Sequence, residues 1–124
     1  MTAHVIYEKI DTKFPATLSA HFLQTVLRGQ LGFEGLIFSD DLSMQGVCGY
    51  EQVAAKALAA GCDMVLICHN RRLLEATLDE LSTSDIERYG ARLAKRIAWA
   101  QPLVESGLSE KDVAGLRKQL KTLQ

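Results

Sequence analysis

The chain has 124 residues, with 14 Lys and Arg against 15 Asp and Glu, a formal net charge of −1 and 48% apolar residues. That is the make-up of one ordinary globular domain. It excludes extensive disorder, and without a basic excess it excludes nucleic-acid binding driven by bulk charge. No apolar stretch approaches the ~20 residues of a membrane span, so no membrane role is expected. The opening MTAHVIYEKID lacks the basic lead and long apolar run of a signal peptide. Three cysteines with no CxxC pair point to free, buried thiols in a reducing, cytoplasmic compartment.

In chain order, Met1–Tyr7 reads as a strand, because Val5 and Ile6 are β-branched and Tyr7 is aromatic. A loop through Pro15 follows, and Thr17 or Ser19 offers an N-cap. From His21 to Leu31, Phe22, Leu23, Val26, Leu27 and Leu31 recur at helical spacing, and Gly32 closes the helix. Gly35–Ser39 is an apolar run without alternation, the pattern of a strand covered on both faces, and it ends in Asp40 and Asp41. Leu42–Tyr50, with Gly46 and Gly49, reads as an irregular loop. Helix is expected over Glu51–Ala60, stopped by Gly61, and a second buried strand over Cys62–Cys68. Helix returns from about Arg72 to Leu81. Ser84 and Asp85 cap a longer helix that Pro102 ends or kinks, and Ser109 opens a final helix, Glu110–Leu120. Strands separated by crossover helices imply an α/β fold with a parallel sheet.

Ligands of parallel α/β proteins bind at the carboxyl ends of the strands. Of the three ends here, the Ser39-Asp40-Asp41 end stands out, since two carboxylates directly after Leu-Ile-Phe are costly to desolvate without a task. Either aspartate also suits simple helix capping. Neighbours on a strand point in opposite directions, so one of the pair faces a pocket while the other caps or supports. His4 is placed to reach the same pocket as a weak candidate for substrate binding, His69 to line its mouth, and His21 to stand partly exposed on its helix. No His or Cys pair has metal-ligand spacing, so no metal is expected; Cys62 and Cys68 serve packing, and Cys48 lies in the glycine-bearing loop. Neither GxGxxG nor a Walker loop occurs, which disfavours nucleotide cofactors, and no cofactor is expected.

Three blocks in order, MTAHVIY (Met1–Tyr7), LGFEGLIFSDDLSMQG (Leu31–Gly46) and AAGCDMVLICHN (Ala59–Asn70), resemble family 3 glycoside hydrolases. Within them the chain is similar to the bacterial cytosolic β-N-acetylhexosaminidases of peptidoglycan recycling, from Met1 to about Leu81. The resemblance implies a partial (β/α)8 barrel: its last three parallel strands with their helices over residues 1–83, then C-terminal helices over 84–124, in a single domain. It implies retaining hydrolysis with Asp40 as nucleophile and Asp41 as a neighbour pointing elsewhere. It implies removal of terminal N-acetylglucosamine from muropeptides, in the bacterial cytoplasm. The family's general acid is a histidine in a Lys-His-Phe-Pro-Gly-His-Gly loop, a pattern this chain does not contain. A full barrel takes ~250 residues, so the chain reads as about the last third of one.

Two other readings follow from the same residues. One is a catalytically incompetent remnant that self-associates through unpaired sheet edges. The other is a non-enzymatic α/β module whose Asp40–Asp41 end binds Mg²⁺.

Overall fold

The computed structural model describes residues 1–105, and side chains through Ala98. The expected helix Glu110–Leu120 lies outside them. Two short parallel strands, β1 (Phe38–Asp41) and β2 (Met64–Leu66), form the sheet. A π-helix (His21–Gln30), α1 (Val53–Ala60), α2 (Arg71–Glu80) and α3 (Thr83–Glu105) surround it.

The first segment departs from its expected strand. Thr2 N donates to Phe38 O at 2.8 Å, which lays the segment beside β1, but the carbonyls of Ala3 and Val5 accept from Thr17 N and Ala16 N at 3.3 and 2.9 Å. Its backbone is thus satisfied by the turn that follows it. The sheet has two strands, not three, because β-branched residues favour a strand only where a ladder and a pleated, half-buried surface receive them. Val5, Ile6 and Tyr7 stay nearly half exposed, with Tyr7 stacked on Phe22 at 5.4 Å.

Asp11 organises the loop, accepting from Lys13 N, Phe14 N and the Ser19 hydroxyl at 2.9, 3.1 and 2.6 Å. Ser19 Oγ in turn accepts from Phe22 N at 3.0 Å and caps the π-helix, one of the two expected caps. That helix closes i to i+5, as in Leu31 N to Val26 O at 2.9 Å. The wider turn moves later positions off the 3.6-residue stripe: Leu23 is fully buried, but Leu31, expected on the same face, is 71% exposed.

β1 and β2 pair irregularly. Phe38 stands opposite Met64 and Asp41 opposite Leu66, so three steps on β1 match two on β2. The extra residue makes a bulge at Ser39–Asp40, and the Ser39 hydroxyl accepts from Leu66 N at 2.9 Å where the ladder is interrupted. Both aspartates therefore lie within the last two positions of β1, not after it.

The core lies between this sheet, the π-helix and α1, with Leu18, Leu23, Ile37, Leu42, Val47, Val53 and Ala57 at its centre. Cys62 is buried among them, whereas Cys68 is exposed, as is Cys48, because β2 ends at Leu66 and the chain turns outward. α1 stops at Gly61, which has φ 133° and the Gln24 side chain 2.9 Å from where a Cβ would sit. α2 is capped by Asn70, whose side chain accepts from Leu73 N at 3.0 Å.

α3 is capped by Ser82, two residues before the expected Ser84. Ser82 Oγ accepts from Asp85 N at 3.2 Å, and Asp85 Oδ2 accepts from Ser82 N at 3.3 Å, a reciprocal box. Pro102 does not end α3, which runs on to Glu105; a proline late in a long helix removes one hydrogen bond while earlier turns persist. Among the described residues no helix is long and apolar enough to cross a membrane.

Candidate active site

The carboxyl end of β1 is fixed from several sides through Asp41. Its Oδ1 accepts from Ser43 N at 3.0 Å and from Cys68 N at 2.9 Å, and its Oδ2 accepts from the Ser43 hydroxyl at 2.6 Å. One carboxylate thus closes the turn after β1 and ties it to the end of β2. Led by the Ser43 hydroxyl, these donors hold the Asp41 carboxyl below the ordinary aspartate value, and His69 adds a smaller electrostatic pull. The Asp41 carbonyl accepts twice more, from Met44 N at 3.1 Å and from His4 Nε2 at 2.9 Å.

Asp40 is treated differently. Its Oδ1 accepts from Asp41 N at 2.8 Å, and no other hydrogen-bond partner of its carboxylate occurs among the described residues. Asp40 is thus a partly buried carboxylate at a strand's carboxyl end, set on a bulge and oriented by one backbone amide. The two neighbours differ: Asp41 builds the corner, and Asp40 keeps its second oxygen without a hydrogen bond among the described residues.

His4 has both ring nitrogens engaged, Nδ1 with the Thr17 hydroxyl at 2.9 Å and Nε2 with the Asp41 carbonyl. It stands beside the site, with no ring nitrogen left over for a sugar hydroxyl. His69 takes a left-handed backbone (φ 56°) and, with Asn70, Arg71, Leu74 and Glu75, lines a cleft of about 600 Å³ past the end of β2. His21 is exposed on the π-helix and makes no hydrogen bond to Asp40 or Asp41.

Two contributors escaped the sequence reading. Ser43 had a local signal, since Asp-x-Ser is the spacing at which an aspartate side chain closes a turn. Thr17 had none, because its role depends on a contact 13 residues away in the chain. Among the described residues no group of three or more His, Cys, Asp or Glu side chains stands together as a metal cradle, and the donors on Asp41 leave one carboxylate uncommitted.

Residues 1–96, which contain this whole corner, match the glycosyl hydrolase family 3 N terminal domain. The chain belongs to glycoside hydrolase family 3. It is 50% identical over 91 residues to the β-hexosaminidase of Tolumonas auensis, covering 71% of this chain and 27% of that one. It superposes on a family 3 β-N-acetylglucosaminidase of Paenibacillus with TM-score 0.67 and 31% identity, over 88% of this chain and 23% of that one. It also matches NagZ of Neisseria gonorrhoeae, solved in complex with N-trifluoroacetyl-D-glucosamine, with TM-score 0.55 and 39% identity, over 73% of this chain and 28% of that one. The chain thus spans about a quarter of the length of these relatives.

Proposed function

We propose that this chain carries the nucleophile-bearing part of a retaining β-N-acetylhexosaminidase site, with Asp40 as the nucleophile. The observation that carries this reading is the division of labour at the end of β1, where Asp41 is consumed by three donors and Asp40 is held by a single amide. Support for the sugar class comes from relatives named β-hexosaminidase and from the complex of one of them with an N-acylated glucosamine. In this reading residues 1–83, with the first segment laid beside β1, supply the last β/α units of a (β/α)8 barrel, and α3 follows them. The substrate is a terminal N-acetylglucosamine on a peptidoglycan fragment in the bacterial cytoplasm.

The ionised Asp40 carboxylate attacks the anomeric carbon as the bond to the leaving oxygen breaks, forming a glycosyl ester. Water then cleaves that ester and regenerates the carboxylate. The proton for the leaving oxygen comes from a group outside these 124 residues, because none of the three histidines lies in a loop of the family's acid/base pattern. A leaving group acidic enough to depart unprotonated removes that requirement.

The test uses an activated fluorosugar with a dinitrophenyl leaving group, followed by peptide mass analysis. A glycosyl adduct on Asp40 that disappears in Asp40→Asn is expected. An adduct on another residue, or undiminished turnover in Asp40→Asn, sinks the assignment.

A further inference from the structure

We propose that His4 is a positioning residue for Asp40, acting through the backbone of Asp41; the inference rests on the nucleophile reading above. A backbone carbonyl only accepts, so the 2.9 Å contact from Nε2 to Asp41 O fixes the proton on Nε2. In the neutral ring Nδ1 is then an acceptor, and its partner is the Thr17 hydroxyl at 2.9 Å. Thr17 is fully buried, and its Oγ1 stands 2.8 Å from the Thr2 hydroxyl and 3.0 Å from the Ala3 carbonyl, so Thr2 donates to Thr17, the single Thr17 proton is shared between Ala3 O and Nδ1, and Nε2 donates to Asp41 O. The ring is a strut between the buried turn Ala16–Leu18 and the last peptide of β1.

Asp41 lies between two peptides. The amide of the Asp40–Asp41 peptide is the donor on Asp40 Oδ1, while the carbonyl of the next peptide, Asp41–Leu42, is held by His4 and by Met44 N, so the ring fixes the Asp41 backbone, and with it the direction of the amide that orients Asp40. A bulge is a place where the strand alone does not define direction, since the ladder is interrupted there. The strut replaces the missing ladder constraint from the side of the first segment. The loop after β1 closes on the same residue: a Cβ on Gly46 would stand 2.7 Å from His4 Cβ and 3.0 Å from His4 O, so glycine lets that loop seat against the His4 backbone. This role accounts for both ring nitrogens and leaves neither for sugar binding.

The test is made on the full chain by NMR and by covalent trapping. In the wild type, long-range ¹H–¹⁵N spectra are expected to show a single Nε2–H tautomer of His4. His4→Phe fills the ring volume without the donor, and is expected to speed exchange of the Asp41 amide about tenfold or more, leaving the Ile37 amide at the opposite end of the sheet unchanged. It is also expected to move the Asp40 carboxylate carbon resonance. His4→Gln, which keeps a donor of similar reach, restores both signals toward wild type.

Rapid exchange between tautomers in the wild type overturns the proposal. So does an Asp41 amide that exchanges equally in wild type and His4→Phe, or a Gln variant no better than Phe. The trapping arm separates the two readings. Wild-type adduct on Asp40 at an unchanged rate in His4→Phe overturns positioning alone, whereas an adduct elsewhere overturns the nucleophile and leaves the NMR result to decide the strut.

Discussion

At the amino end of the β1–β2 pair, Asp63 is 3% exposed, paired with Arg28 at 2.8 Å and Arg92 at 3.4 Å, and accepting from Ile37 N at 2.9 Å. At the carboxyl end, Asp40 is partly buried, and its carboxylate meets only the Asp41 amide among the described residues. The same kind of side chain is thus tied down before β2, through Oδ2 to Arg28 and Ile37 N and through the Arg92 ion pair at Oδ1, and held by one amide near the end of β1. Asp63 binds the π-helix through Arg28 and α3 through Arg92 to the start of the sheet. Arg92 also donates to the carbonyls of Leu58 and Cys62, which fastens α3 to the turn before β2. What the difference teaches is that a buried acid with several cations is a joint, while one held by a single amide on a bulge is the candidate for chemistry.

The largest effect expected from breaking that comparison is at the joint. Asp63→Ala strands two partly buried guanidinium groups, of which Arg28 is only 15% exposed and is already held below the ordinary arginine value, chiefly by burial. Loss of about 3 kcal/mol is expected, read as a fall in the urea midpoint, the lower part of the range because Arg92 is partly hydrated. Asp40→Asn, which deprives no cation of its partner, is expected to leave the midpoint within about 0.5 kcal/mol. Equal losses in the two variants would erase the distinction.

Glycines sharpen it next. Gly61, at the amino end, has φ 133° and no room for a Cβ, so Gly61→Ala is expected to lower stability by about 1–3 kcal/mol in the same urea experiment. Gly46, at the carboxyl end, has an ordinary φ but lies against His4. Gly46→Ala is expected to disturb the Asp41 amide in NMR more than it lowers the unfolding midpoint.

A smaller effect follows from acid titration. The Asp41 carboxyl is held below the ordinary value of 3.8. A depressed folded-state value means the stabilisation is complete above 3.8 and fades as pH falls through the lower folded value. Asp11, lowered first of all by the Ser19 hydroxyl, behaves alike. Asp41→Asn is expected to lower stability at neutral pH, where the carboxylate's contribution is complete, and to flatten the fall in stability below about pH 4. An acid profile identical to wild type would show that the Ser43 and Cys68 donors contribute nothing.

The smallest perturbation is chemical labelling. Burial pushes the Cys62 thiol up to about 11, while Cys48 and Cys68 are exposed. A thiol reagent at mildly alkaline pH is expected to titrate two cysteines in the folded chain and the third only on unfolding. Prompt reaction of all three would place Cys62 outside the core.

Much of this was legible beforehand. The positions of α1 and α2, the irregular loop Leu42–Tyr50 and the Ser19 cap follow from apolar spacing, glycine stops and short polar side chains, which act within a few residues. The pair Asp40–Asp41 was legible as a candidate because carboxylates rarely follow an apolar strand without a reason, and the choice of Asp40 within it came from the family resemblance. The first strand and the Leu31 face were misread. Strand propensity says nothing about whether a ladder partner exists, and apolar periodicity assumes a turn of 3.6 residues that the π-helix does not have.

By itself, then, the sequence determined the alternation of helix and strand, the apolar core and the acidic pair at the end of β1, because each is written in near neighbours. The tertiary structure alone decided which aspartate is consumed and which is free. It also made His4 a strut rather than a loose side chain, and it gave Asp63 two cations from helices 35 and 29 residues away in either direction. Those outcomes depend on hydrogen-bond partners and charges brought together by folding, and burial then makes each of them matter far more than it would in water.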